Sequence, residues 1–258
     1  MENNDEEVLI SMIDTIELFI QEASTADDST QCQLLLQTDS FFRKVIKINQ
    51  ESPEFSRLIN CIQSFFQLLN SHLAQFLSDK KRSQNLADLL IFFSNSSIIS
   101  QIANDISAFT TALLLSSELN EENVNNFTEF LHVFFTSPAF SQSFESTDGL
   151  ISLWKLLMNE SKVNIFEKIF SDLQQTINFY FQSTDSEKSK EFFTIVIETT
   201  KDIPTSNATR AFQFINDLIT ASQSKLLIPF IDQGGFKSFN QYIIEHNDPD
   251  LLVLYHIF

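Results

Sequence analysis

The stretch Ser224–Phe258, SKLLIPFIDQGGFKSFNQYIIEHNDPDLLVLYHIF, decides the fold. Leu226 to Ile231 is a short apolar segment that stops at the pair Gly234-Gly235. Phe236, Phe239, Tyr242 and Ile243 follow at helical spacing, which places them on one face of a second helix. Asn247-Asp248-Pro249-Asp250 ends that helix and opens a third. Pro fits a first helical turn, and carboxylates suit its positive end. The pattern predicts a short helix, a Gly-Gly turn, a helix, an Asp-Pro turn and a helix.

Composition extends this reading to the whole chain. A length of 258 residues can bury a sizeable core. Three Gly and five Pro are too few for a sandwich, a barrel or a Rossmann-type fold, all of which use turn glycines freely. A hydrophobic fraction of 43% with 12% aromatics excludes a disordered chain. The expectation is an all-α protein. Most of the 28 Phe stand at helix-face spacing and are expected inside. The doublets at 41–42, 65–66, 92–93, 134–135 and 192–193 widen the buried stripe, since adjacent helix positions lie ~100° apart, and let one helix touch two neighbours.

Along the chain, the first helix is expected from about Asp5 to Ala23, with Asp28 or Ser29 capping the next. Short helices follow over Cys32–Leu36 and Phe41–Ile48. Ser52-Pro53-Glu54 is a strong start signal for a long helix that keeps its apolar spacing to about Leu77. Lys80-Lys81-Arg82 would then sit at its C-terminus, where exposed carbonyls favour cations. Further helices are expected over 86–93, 98–115, from the Asn120-Glu121-Glu122 cap onward, after Ser137-Pro138, and over 150–158, 163–181, 187–199 and 204–222.

Gly149 and Gly235 lie 86 residues apart, two steps of 43, at the same point of similar segments. Single steps of 43 reach Phe192 and Ile106, each opening an apolar helix without the glycine. The segment from Asp39 fits the scheme out of phase, as an extra or enlarged helix near residues 54–93 would cause. A period of about 40–47 residues is the armadillo/HEAT range. The stretch 224–258, and less closely 139–182, resembles an armadillo repeat: a short helix ending in Gly, an amphipathic helix, an Asp-Pro-type turn and a third helix. The resemblance implies an α-solenoid, an armadillo-like or HEAT-like superhelix of about five repeats, forming a single domain over 1–258. It also implies a concave surface lined by third-helix residues such as Glu167, Gln174, Gln175 and Asn178. Armadillo proteins that bind nuclear-localisation peptides share a Trp-x-x-x-Asn pattern. The single Trp154 lies instead on a second-helix equivalent and is followed four positions later by Met158. The acidic Gly-Gly segment is also similar to the N-terminal scaffolds of giant BEACH-domain trafficking proteins. LLVLYHIF runs to Phe258 without a polar cap, so either this helix packs back on the preceding pair or the natural chain continues, the expectation being a fragment or N-terminal arm of a longer chain.

A net charge of −18 argues against nucleic acid or an anionic membrane as ligand. Residues 1–30 hold nine Asp or Glu and no Lys or Arg, and no cation appears between Arg82 and Lys155. The favoured partner is therefore a protein or peptide, preferably basic. No signal peptide or apolar run of about 20 residues is present, so no membrane insertion and a cytoplasmic location are expected. Tripeptides at Asn95, Asn126, Asn159 and Asn207 match the glycosylation pattern by chance on this reading. Glycines only at 149, 234 and 235 exclude a Gly-rich phosphate loop and a Gly-x-Ser-x-Gly elbow. His72, His132, His246 and His256 lack metal-ligand spacing, and neither Cys32 nor Cys61 has a base beside it in sequence. No catalytic, cofactor-binding or metal-binding residue is expected, and no cofactor. The reading is a non-catalytic scaffold that binds its partner on a helical-repeat surface. The alternatives are a structural spacer of a large trafficking-type scaffold and a helical enzyme without a recognisable motif.

Overall fold

The computed structural model describes residues 2–146, 148–159, 162, 164–166, 168–169, 186–222 and 225–246. Those residues are all-α, with no strand among them. The chain divides into two compact units, Met1–Phe134 and Phe135–Phe258.

In the first unit, α1 (Glu2–Ala23) is followed by α2 (Asp28–Gln37) and α3 (Asp39–Val45). The cap of α2 is Asp27, one residue before the expected position; its carboxylate accepts from Ser29 N and Thr30 N. Next comes α4 (Pro53–Ser71), which starts where the sequence says it should. Ser52 is extended, its Oγ accepts from Glu54 N at 3.2 Å, and Pro53 takes the first position.

The long helix does not reach Leu77. His72 leaves helical geometry at φ −120°, ψ 20°, and a separate α5 (Leu73–Leu77) follows. Apolar spacing runs through His72 unbroken, so hydrophobic pattern alone could not place this break. Lys80-Lys81-Arg82 consequently opens α6 (Lys80–Ser94) instead of ending the previous helix. Asp79 caps that turn, its Oδ1 accepting from Arg82 N at 2.7 Å, and supplies the negative charge the helix start favours. The unit continues with α7 (Ile99–Leu115) and most of α8 (Val124–Thr136), the latter preceded by Asn120, whose Oδ1 accepts from Glu122 N and Asn123 N.

Helix α4 packs against α1 on one side and α7 on the other. Its buried stripe is Phe55, Leu58, Cys61, Ile62, Phe65, Phe66 and Leu69. Phe42, Phe65, Phe66, Phe93 and Phe109, from α3, α4, α6 and α7, form one aromatic cluster with centroid separations of 5.3 to 6.3 Å. Burying each ring contributes about 1.5–3 kcal/mol before ring–ring terms. The doublets work as their spacing suggests. Phe41 meets Phe19 of α1 while Phe42 faces α4 and α6. Phe92 lies under the Arg43 guanidinium while Phe93 enters the cluster.

The second unit contains α9 (Pro138–Ser146), α10 (Gly149–Leu157), α11 (Ser186–Thr199), a 3₁₀ turn (Thr200–Asp202), α12 (Thr205–Ala221), α13 (Leu227–Asp232) and α14 (Gly235–His246). The expected concave residues Glu167, Gln174, Gln175 and Asn178, and the expected helix after Asp248-Pro249, lie outside the described residues.

The 86-residue correspondence is physical. Gly149 and Gly235 each begin a helix (α10 and α14), and each is preceded by a left-handed residue, Asp148 at φ 59° and Gly234 at φ 83°. A Cβ on Gly149 would fall inside the contact distance of the Phe144 ring, and one on Gly235 inside that of Phe230. Phe144 and Phe230 are themselves 86 apart in the sequence. The glycines let a helix start directly against the ring that ends the preceding short helix.

Candidate functional site

The following tertiary hydrogen bonds of described residues within each unit join positions at a narrow range of separations. In the first, Arg43 reaches Asp88 O, Gln50 reaches Ser97 O, Arg57 reaches Asp14 and Glu17, Asn123 reaches Leu77 O, and Asn126 reaches Ser83. In the second, Trp154 reaches Thr199, Thr194 reaches Gln233, Asn207 reaches Leu157 O, Ser238 reaches Ile197 O, and Tyr242 reaches Ile203 O. These pairs lie 39 to 50 residues apart in the chain.

Two of them are equivalent locks. Buried Asn123 lies just before α8, and its Nδ2 donates to Leu77 O at the end of α5 and to Glu118 O. Buried Asn207, in the first turn of α12, donates Nδ2 to Leu157 O at the end of α10 at 2.6 Å. Each lock satisfies a carbonyl left over where a helix ends. The role of Asn207 also disposes of its glycosylation tripeptide, because a fully buried amide cannot accept a glycan in the folded chain. Trp154 is likewise structural, fully buried with Nε1 donating to Thr199 Oγ1 at 2.8 Å.

In the first unit a groove of about 570 Å³ lies between α1 and α4. From α1 come Glu17, Ile20, Gln21 and Ser24; from α4 come Asn60, Cys61, Ser64, Gln67, Leu68 and Ser71. Ile20 and Cys61 are buried, Leu68 is half-buried, and they make the floor. Gln21, Asn60 and Gln67 stand exposed on the rim. The polar positions 60, 64, 67 and 71 repeat at helical spacing opposite the buried stripe of the same helix.

Arg57 of α4 binds Glu17 of the groove wall and its neighbour Asp14. Its Nη2 donates to Asp14 Oδ1 and Glu17 Oε2, both at 2.7 Å, and its Nε donates to Glu17 Oε1 at 3.1 Å. Those hydrogen bonds, from Glu17 first and then Asp14, raise the guanidinium pKa above its ordinary value. All three side chains are well exposed, so the clamp adds little to stability and mainly ties α1 to α4. On the floor, burial pushes the Cys61 thiol up to about 11, with Glu17 adding to the effect. A thiol held neutral is a poor nucleophile and metal ligand.

No protein-family model matches the chain, and no curated protein or solved structure matches it either. The groove therefore has to be read from its own chemistry.

A second, polar recess of about 230 Å³ surrounds the Asn123 lock, with Lys80, Glu118, Asn120, Glu122 and Asn126 in its wall. Among the described residues no group of three or more His, Cys, Asp and Glu is placed to hold a metal ion, and no helix is long and apolar enough to cross a membrane. The sequence reading assigned none of the groove residues to a binding site, and Cys61 entered it only as a thiol with no base beside it. Their signal was the polar row on α4, facing a second polar row at 17, 21 and 24 on α1; nothing in one helix's pattern says that another will lie beside it.

Proposed function

We propose that the chain is a non-catalytic protein-interaction module whose units are short stacks of armadillo- or HEAT-type helical repeats. The observation that carries this reading is the 39-to-50-residue separation of the tertiary polar contacts. In such a stack equivalent positions of neighbouring repeats meet at one characteristic separation, the repeat length, and about 40–47 residues is the armadillo/HEAT range. The twice-used boundary at Phe144–Gly149 and Phe230–Gly235 supports the same reading. Stacked repeats expose extended rows of side chains, and such rows suit protein or peptide ligands.

The described chemistry favours binding over catalysis. Asp27 and Asp79 are occupied as helix caps, Asp14 and Glu17 by Arg57, and the groove thiol is held neutral. A charge of −18 makes a basic partner the favoured class. The test is an array of peptides of basic, neutral and acidic composition probed with the full chain at low and high salt. Retention concentrated on basic peptides and weakened by salt is the expected result. Retention of none of them, or of all classes equally, would refute the reading.

A further inference from the structure

We infer that the α1–α4 groove is the docking site for a basic amphipathic segment of a partner protein, apolar side chains on the floor and cations along α1. The inference rests on the protein-binding reading and names the surface and the ligand class.

The floor of Ile20, Cys61 and Leu68 offers an aliphatic side chain a partly buried apolar continuation. Around it the exposed amides of Gln21, Asn60 and Gln67 can donate to and accept from a peptide backbone without desolvating a charge. Charge then selects the occupant. Among the described side chains α1 carries the carboxylates of Glu7, Asp14, Glu17 and Glu22 and no cation, while α4 carries Glu54 and Arg57, and that one cation is already held by Asp14 and Glu17. The field over the groove is therefore negative. It repels a second copy of this chain, whose net charge is −18, and it repels a nucleic acid or an acidic protein. A purely apolar ligand would fit the floor but gain nothing from α1. Lys and Arg flanking an apolar anchor use both.

The test is a fluorescence-anisotropy titration of the full chain with a labelled Lys/Leu amphipathic peptide and its Gln-for-Lys analogue. The Lys/Leu peptide should bind, and its affinity should fall roughly tenfold or more between low and physiological salt. The Gln analogue should bind about tenfold more weakly. Ser64→Trp, which fills the middle of the groove, should abolish binding. Should Ser64→Trp fail to fold, the paired change Asn60→Lys and Gln67→Lys at two exposed rim positions should weaken binding about tenfold and leave thermal unfolding unchanged. Neutralising Glu121 and Glu122, outside the groove lining, should change affinity by less than about twofold. Undiminished binding to the rim variant would overturn the groove as the site, while the protein-binding reading would stand on the array. Equal affinity for the Lys and Gln peptides would overturn the basic class. Failure of the Lys/Leu peptide to bind wild type would overturn the inference, and the reading beneath it falls only if the array is also blank.

Discussion

Replacing Gly149 or Gly235 by Ala sets two physical effects against each other. By helix propensity the change is favourable, by up to about 1 kcal/mol, and it also restricts the unfolded chain. By packing it is unfavourable, because the new methyl group meets the Phe144 ring in one case and the Phe230 ring in the other. Neither ring can swing away. Phe144 is fully buried and packs edge-on against Phe135 at 5.6 Å, while Phe230 is held by Phe193, Phe236 and Phe239 at 5.4 to 5.5 Å. Overpacking of this kind costs about 1–3 kcal/mol and takes the upper end where the neighbours are pinned. Packing should win by about 2 kcal/mol, lowering the melting temperature by roughly 4–8 °C. Trp154, five residues beyond Gly149 in the same helix, reports the transition by fluorescence. Gly234→Ala is the control: nothing lies within 4 Å of its added Cβ, but φ is +83°. It should lose about 1–2 kcal/mol through backbone strain alone. Trimming Phe144 to Leu should recover part of the Gly149→Ala loss, with a coupling of about 0.5–3 kcal/mol, whereas the same trimming should not rescue Gly234→Ala. A Gly149→Ala or Gly235→Ala protein more stable than wild type would refute the close-packed boundary.

Asn207→Ala and Asn123→Ala should each cost about 1–3 kcal/mol, because Leu157 O and Leu77 O lose their donors inside the fold; urea denaturation would show it, and an unchanged midpoint would count against the locks. Thr199→Val keeps the shape but strands the buried Trp154 indole N–H, so a loss of about 1–2 kcal/mol with a shifted Trp emission is expected. The Cys61 thiol should react slowly with iodoacetamide at pH 8 and accelerate only as pH approaches about 11; a rate that saturates near pH 9 would contradict its burial. The same shift fixes a sign for stability. A thiol whose pKa rises on folding from 9.0 to about 11 contributes fully below pH 9, and the contribution is lost as pH climbs through 11, so Cys61→Ser should flatten the decline of stability in that window.

The helices were largely legible from apolar spacing and caps because the signals are local: Ser52-Pro53 and Ser137-Pro138 start their helices as read. The glycine correspondence was legible too, since only Gly tolerates a ring against its Cα, and two sites with the same need leave the same letter. Its partial erasure has a physical reason. The left-handed position before the helix is Gly234 in one copy but Asp148 in the other, and Asp adopts that conformation more readily than most residues. The His72 break was hidden because it interrupts backbone geometry without interrupting hydrophobicity. The Asn locks were hidden because an Asn near a helix start reads as an ordinary polar residue until the carbonyl it serves, 46 or 50 positions away, is known.

The groove was illegible for a different reason, visible in α4. Phe65 and Phe66 turn into the aromatic cluster, whereas Ser64 and Gln67, their immediate neighbours, turn toward α1. One amphipathic pattern thus specifies two surfaces, and only the apolar half announces its purpose. A polar row means solvent by default, and it becomes a rim when a second helix stands beside it at a distance that leaves the space unfilled. Arg57 ties the two helices here, for it holds Asp14 and Glu17 of α1, and Glu17 lines the groove. Arg57→Ala should therefore cost less than about 1 kcal/mol in overall stability yet loosen α1 selectively. Hydrogen exchange read along the chain separates the two effects: faster exchange in α1 with α7 unchanged is expected, and uniform acceleration would mean that the clamp is part of the core's stability instead of the groove's geometry.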